Sequence, residues 1–177
     1  PSGEDIEQIA LRLLSAKAPV ICAGKGVMRK RGMKELLEIA EILSAPVVYP
    51  QDSMGIIPDD HPLAAGHFIA TRSDPRFDYV MEGADLLLSV GVRASTAETV
   101  FLNERAPGES ILVGFDDAED ENYSRKDEIV ADPKLFLAAL LERLKGESRP
   151  GGEEVKREIA RIRAEFRESV RTFIDGD

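Results

Sequence analysis

Cysteine is nearly absent from this chain of 177 residues. Cys22 stands alone inside an apolar run, so no disulfide framework can form within the chain, and a reducing, cytoplasmic setting is the expectation. Long hydrophobic runs are missing as well. No uninterrupted apolar stretch approaches the roughly 18 residues that span a bilayer, and the opening PSGED has neither the basic region nor the apolar core of an export signal. Positive charge is in deficit: 23 basic residues against 33 acidic ones leave a formal net charge of -10. That balance argues against a sequence-independent grip on nucleic-acid phosphates or on an anionic membrane, and it favours small-molecule or protein partners. Internal repeats and low-complexity segments are lacking. No serine, cysteine or lysine stands visibly paired with a base, so no nucleophilic constellation can be named.

What is present describes an ordinary soluble globular chain, with 43% hydrophobic and 32% charged residues, long enough for one domain with an appendage. Ser2 and Asp5 resemble a helix-capping pair, and Ile6, Ile9, Ala10 and Leu13 recur at helical spacing until Pro19. Residues 20–23 read as a buried strand that ends in the Gly24-Lys25-Gly26 turn. Met33, Leu36, Leu37, Ala40 and Leu43 restore the helical period before a second strand at 47–49. The stretch 50–76 holds Pro50, Gly55, Pro58, Pro62, Gly66 and Pro75, and is expected to be mostly loop and short helix. Further apolar runs at 84–91, 110–115 and 128–131 predict three more strands, and Leu137, Leu140, Leu141 and Leu144 another helix. Strands alternating with helices predict an α/β fold, a doubly wound parallel sheet in three layers, Rossmann-like.

A linker of small and polar residues follows at 146–152, which divides the chain into a domain at 1–145 and an appendage at 146–177. Val155, Ile159, Ile162, Phe166, Val170 and Phe173 form one narrow apolar stripe on this charged appendage, a helix that needs a surface to lie on. Its own domain and a neighbouring one are both candidates.

Candidate sites cluster where open α/β sheets bind ligands. Gly24-Lys25-Gly26 sits where a dinucleotide fingerprint would begin, but Arg29 occupies the place of the third glycine, so a plain turn is the alternative. Arg29, Lys30, Arg31 and Lys34 gather near the next helix start, either as an anion's neighbours or as a solvated basic cluster. Asp59, Asp60, His61 and His67 have residue types suited to metal or proton chemistry, yet their spacing matches no metal motif. Asp116 and Asp117 follow the fourth strand, where an acid can hold ribose hydroxyls or simply serve a turn.

Taken in order, several segments resemble the central domain of thiamine diphosphate-dependent enzymes, the family of acetolactate synthase, pyruvate oxidase, benzoylformate decarboxylase and oxalyl-CoA decarboxylase. They are LSAKAPVICAGKGV at 14–27, ELLEIAE at 35–41 with APVV at 45–48, and GIIPDDHPL at 55–63 with Gly66. ADLLLSVGVR at 84–93 and IVAD at 129–132 complete the series, so the likeness runs from about Glu4 to Leu144. The resemblance implies a middle segment without catalytic residues, in a homo-oligomeric parent acting on 2-oxo acids. Thiamine diphosphate and magnesium would lie in flanking domains of the same chain, one with a glutamate and one with a Gly-Asp-Gly motif that this sequence lacks. The appendage would lead to the downstream domain.

Some family members bind FAD here and one binds ADP. By that likeness Gly24, Gly26, Gly66, Gly91, Arg93 and Asp132 fall on nucleotide-contacting positions. Residues 94–97 depart from the flavin enzymes, and Gly114 stands where an acid would hold the ribose, which favours an empty or nucleotide-regulated domain over FAD. A free-standing FAD- or ADP-type module is the alternative reading. A deacetylase-like NAD domain lacks its histidine motif here.

Overall fold

The computed structural model describes residues 1–92, 96–114 and 127–176. Helix α1 (Gly3–Ser15) opens on a capping box in which Asp5 N donates to Ser2 Oγ at 3.1 Å and Ser2 N to Asp5 Oδ2 at 2.6 Å. It buries Ile6, Ile9, Ala10 and Leu13, the anticipated stripe. Next come β1 (Pro19–Ala23), the short α2 (Lys25–Arg29), α3 (Met33–Leu43) and β2 (Val47–Pro50). A 3-10 turn at Gln51–Ser53 leads through a loop to β3 (Ala64–Ile69) and β4 (Arg72–Ser73). Then follow α4 (Pro75–Gly83), β5 (Leu86–Val90), α5 (Thr96–Asn103), β6 (Glu109–Gly114), β7 (Asp127–Val130), α6 (Pro133–Leu144) and α7 (Glu153–Asp175).

The strands form one sheet in the order β4-β3-β2-β1-β5-β6-β7, parallel throughout except for the β3–β4 pair. Without the two-residue β4 this is the doubly wound dinucleotide-fold order, whose direction reverses between β1 and β5. Strand period sends alternate side chains to opposite faces. Ile21, Ala23, Leu86 and Leu88 pack with α1, α3 and α6, while Val20, Cys22 and Leu87 pack with Phe68, Phe77, Phe101 and Ile159 on the side of α4, α5 and α7. Three phenylalanines consolidate that second face, Phe68 lying 5.1 Å from Phe77 and 6.0 Å from Phe101 between ring centroids. The three-layer expectation therefore holds.

The stretch 50–76 differs from its sequence reading, because it contains β3 and β4. Gly66 hides the strand: it has φ +80, and the register of β2 against β3 shifts between Val47 and Tyr49. An irregular strand carrying a glycine reads as loop in sequence. Helices α4 and α5 were not anticipated either. The first has a usable signal, Asp74-Pro75, with the Asp74 carboxylate capping Arg76 N at 2.9 Å and proline in the first turn. Asp132-Pro133 starts α6 the same way, Asp132 Oδ1 accepting from Lys134 N at 2.9 Å and Leu135 N at 3.2 Å.

Residues 146–152 are folded onto the body. Arg149 Nε donates to Ala16 O at 2.8 Å and its Nη1 to Leu43 O at 3.0 Å, and Nη2 donates to Lys17 O, so one guanidinium serves the carbonyl ends of α1 and α3. Beyond it, Ile159 is buried and Val155 half-buried against α4's side of the sheet. Phe166, Val170, Phe173 and Ile174 are exposed, Phe173 at 86%.

Candidate functional site

Three glycines meet at the reversal point. β1 and β5 are neighbours, so the turns that leave their carboxyl ends, at Gly24 and Gly91, must pass one another. A Cβ on Gly24 would lie 2.3 Å from Gly91 O, one on Gly26 would lie 2.8 Å from Gly91 Cα, and Gly91 itself has φ +60. Only glycine allows this contact between backbones. It is also hydrogen-bonded: Gly24 N donates to Val90 O at 2.9 Å, Gly26 N to Gly91 O at 2.9 Å, Val27 N to Gly24 O at 3.0 Å, and Gly91 N to Val113 O at 2.8 Å. The amide donors that a pyrophosphate would use at such a turn are thus largely spent on the chain's own carbonyls.

The other expected nucleotide positions that the structure describes make contacts of their own. Asp132 caps α6 and forms a 2.9 Å ion pair with Lys30. The Lys30 hydrogen bond, helped by the amides of Leu135 and Lys134, holds its carboxyl below the ordinary range. Gly66 lies on β3, where an added Cβ would strike the Asp74 carboxyl at 2.4 Å. Arg93, Asp116 and Asp117 lie outside the described residues. Hence the structure brings Gly24, Gly26 and Gly91 together, while Asp132 meets the Lys30 side chain at the end of α2 and Gly66 meets Asp74.

The basic cluster is partly compensated, since Lys30 pairs with Asp132 and Lys34 approaches Glu38 at 3.9 Å. Arg31 takes φ +58 between α2 and α3, and its carbonyl accepts from Lys134 Nζ at 3.3 Å.

A buried ion pair that sequence reasoning missed, Arg76 with Asp74, lies beside Gly66 and reaches out to the exposed Asp59, which the sequence did single out. Arg76 donates from Nε to Asp74 Oδ1 at 2.9 Å and from Nη2 to Asp74 Oδ2 at 2.8 Å, a bidentate pair with both side chains less than one-tenth exposed. Its Nη2 also reaches Asp59 Oδ1 at 2.9 Å, and Arg167 of α7 meets Asp59 Oδ2 at 3.2 Å. Burial disfavours the Arg76 charge, yet Asp74 and Asp59 together raise its proton affinity above the ordinary value. Asp59 balances burial, which pushes its carboxyl up, against Arg76 and Arg167, which hold it below the usual range. Nearby, Arg163 Nη2 donates to His61 O at 2.8 Å. His61 Nδ1 accepts from Leu63 N at 3.1 Å, and its Nε2 lies 3.3 Å from Glu41 Oε1. Asp59 and His61 therefore tie the β2–β3 loop to α7 and α3. His67, on β3, stacks against Tyr49 at 6.4 Å. Among the described residues no group of three or more His, Cys, Asp or Glu is placed to hold a metal ion, and no helix is long and apolar enough to cross a membrane.

Comparison with known proteins decides what this arrangement belongs to. The family described as "Thiamine pyrophosphate enzyme, central domain" matches residues 6–140. The chain belongs to that family. The central domain is 34% identical over 170 residues to a probable 2-ketoarginine decarboxylase of Pseudomonas aeruginosa, covering 94% of this chain and 29% of that protein. It is 33% identical over 138 residues to a probable acetolactate synthase large subunit of Methanococcus aeolicus, covering 76% and 23% respectively. A 2-hydroxyacyl-CoA lyase of Dictyostelium discoideum is 33% identical over 150 residues, 78% of this chain and 24% of the relative. The central domain thus spans less than a third of the length of these curated relatives.

Proposed function

We propose that this central domain is the rigid spacer and interface piece of a thiamine diphosphate-dependent enzyme that makes or breaks carbon–carbon bonds of 2-oxo acids. The cofactor and its magnesium belong, in this reading, to flanking domains of a homo-oligomeric cytoplasmic parent. The division at residue 145 then separates the spacer from a connector, α7. The likeness to a probable 2-ketoarginine decarboxylase and a probable acetolactate synthase large subunit supports the substrate class.

The observation that carries the reading is the glycine junction, where the amides of Gly24, Gly26 and Val27 already serve carbonyls of the chain itself. Thiamine diphosphate fits this chain poorly on the same chemical ground. The sequence has no Gly-Asp-Gly segment, and the described residues present no cluster of metal ligands. The domain's own residues hold geometry: the ionic cluster at Arg76 and the guanidinium of Arg149 set the angle at which α7 leaves the body.

Calorimetry and a turnover assay test this. The full-length enzyme should consume a 2-oxo acid only with thiamine diphosphate and magnesium, while the 177-residue chain should neither bind that cofactor nor react. Turnover by the isolated chain would sink the reading. Binding heat with FAD or ADP would instead favour a nucleotide site at Gly24, Gly26, Gly66, Gly91, Arg93, Asp116 and Asp132.

A further inference from the structure

The glycine junction brings two turns into backbone contact at the carboxyl edge of the sheet, and a cavity lined by described residues opens at the other edge. Five segments line it: the entry to β1 (Lys17, Ala18, Pro19, Val20), the α3–β2 turn (Ser44, Pro46), α4 (Tyr79, Val80, Gly83), the linker (Arg149, Gly151) and the first turn of α7 (Glu154, Val155). Its volume is about 200 Å³, below the roughly 300–1,000 Å³ of pockets for drug-sized ligands. An occupant is therefore small. The floor of prolines and valines calls for an apolar body.

Arg149 decides the other end of the ligand. A guanidinium carries five N–H donors, and its three nitrogens here serve Ala16 O, Lys17 O and Leu43 O, which leaves donors on Nη1 and Nη2. Those bonds fix the group in place. The carbonyl ends of α1 and α3 offset part of its charge; burial lowers its proton affinity and the Asp85 carboxylate partly restores it, but that carboxylate is engaged by the amides of Lys17 at 2.7 Å and Ala18 at 2.9 Å. Lys17 and Glu154 also line the cavity; both are exposed to water, so their opposite charges are screened alike and Arg149 remains the anchoring cation.

We propose that this amino-edge cavity binds a small organic carboxylate with a short apolar body, anchored on Arg149 and bridging α4, the linker and α7. Its occupancy is independent of the cofactor chemistry assigned to the flanking domains.

The probe is 3-methylbutanoate, with the uncharged 3-methylbutanamide as control, titrated into the methyl-labelled 177-residue chain by NMR. Saturable shifts of the Val20, Val80 and Val155 methyl signals are expected with the carboxylate, and binding at least about tenfold weaker with the amide, the scale of a hydrogen bond to a charged group. Gly83→Leu fills the cavity from a position where an added Cβ meets nothing within 4 Å, so it should fold and lose the shifts. Lys17→Gln should weaken the carboxylate roughly twofold to fivefold, as removal of an exposed charge does. Three results would overturn the proposal: no saturable shift at tens of millimolar carboxylate, equal binding of the amide, or unchanged binding in folded Gly83→Leu.

Discussion

The two halves of α7 carry one apolar stripe and meet different surroundings. In the first half Ile159 is buried, Val155 and Ile162 are half-buried, and Arg163 reaches the His61 carbonyl. In the second half Phe166, Val170, Phe173 and Ile174 continue the stripe and are exposed, the last two most. The change comes at Arg167, whose pair with Asp59 is the last polar contact to the body among the described residues. Periodicity reports that a helix face needs cover; only the reach of the body decides how much of that face its own domain supplies.

Removing the support under the first half should have the largest effect. Arg76→Ala leaves Asp74 buried without its partner, and thermal or denaturant unfolding should show a loss of about 3–5 kcal/mol. Ile159→Ala tests the covered stripe directly and should cost about 2–5 kcal/mol. Gly152→Ala places a Cβ 2.2 Å from the Ser44 Cβ, and overpacking of that kind costs about 1–3 kcal/mol. The uncovered half should respond least, with Phe173→Ser changing stability by no more than about 0.5 kcal/mol. Equal costs for Ile159→Ala and Phe173→Ser would abolish the contrast between the halves.

Acid should act on the boundary between them. Asp59 has a folded value below its ordinary one, so its pairs with Arg76 and Arg167 are fully stabilising above the normal carboxylate range and are lost as pH falls through the depressed value. Amide exchange around Arg163 and Arg167 should therefore quicken below a pH of about 4, ahead of exchange in β1 and β5. Uniform acceleration across the whole chain would count against a local release.

Much of this architecture was legible in the residues. The capping box at Ser2 and Asp5, the apolar runs of β1, β5 and β6 and the stripe of α6 each announce an element through a local rule. What stayed hidden depends on contacts far apart in sequence. β3 is interrupted by Gly66, whose missing side chain is explained only once Asp74 is seen to fill the space. Arg149 sits among Pro150, Gly151 and Gly152, a context that reads as linker, and nothing nearby signals acceptors at Ala16 and Leu43. At the candidate site, spacing singled out Gly24 and Gly26 as either the start of a dinucleotide fingerprint or a plain turn. The close approach seen there is made by the backbone at Gly91, a partner far along the chain that local spacing does not signal.

Arg149 also has a mechanical consequence. A tug on the tip of α7 from an adjoining body would travel down a stiff rod of 23 residues and arrive, just before the rod begins, at one side chain holding the ends of α1 and α3. Strain would then spread into the sheet through two helices at once, so the spacer would move as a block while its attachment bends.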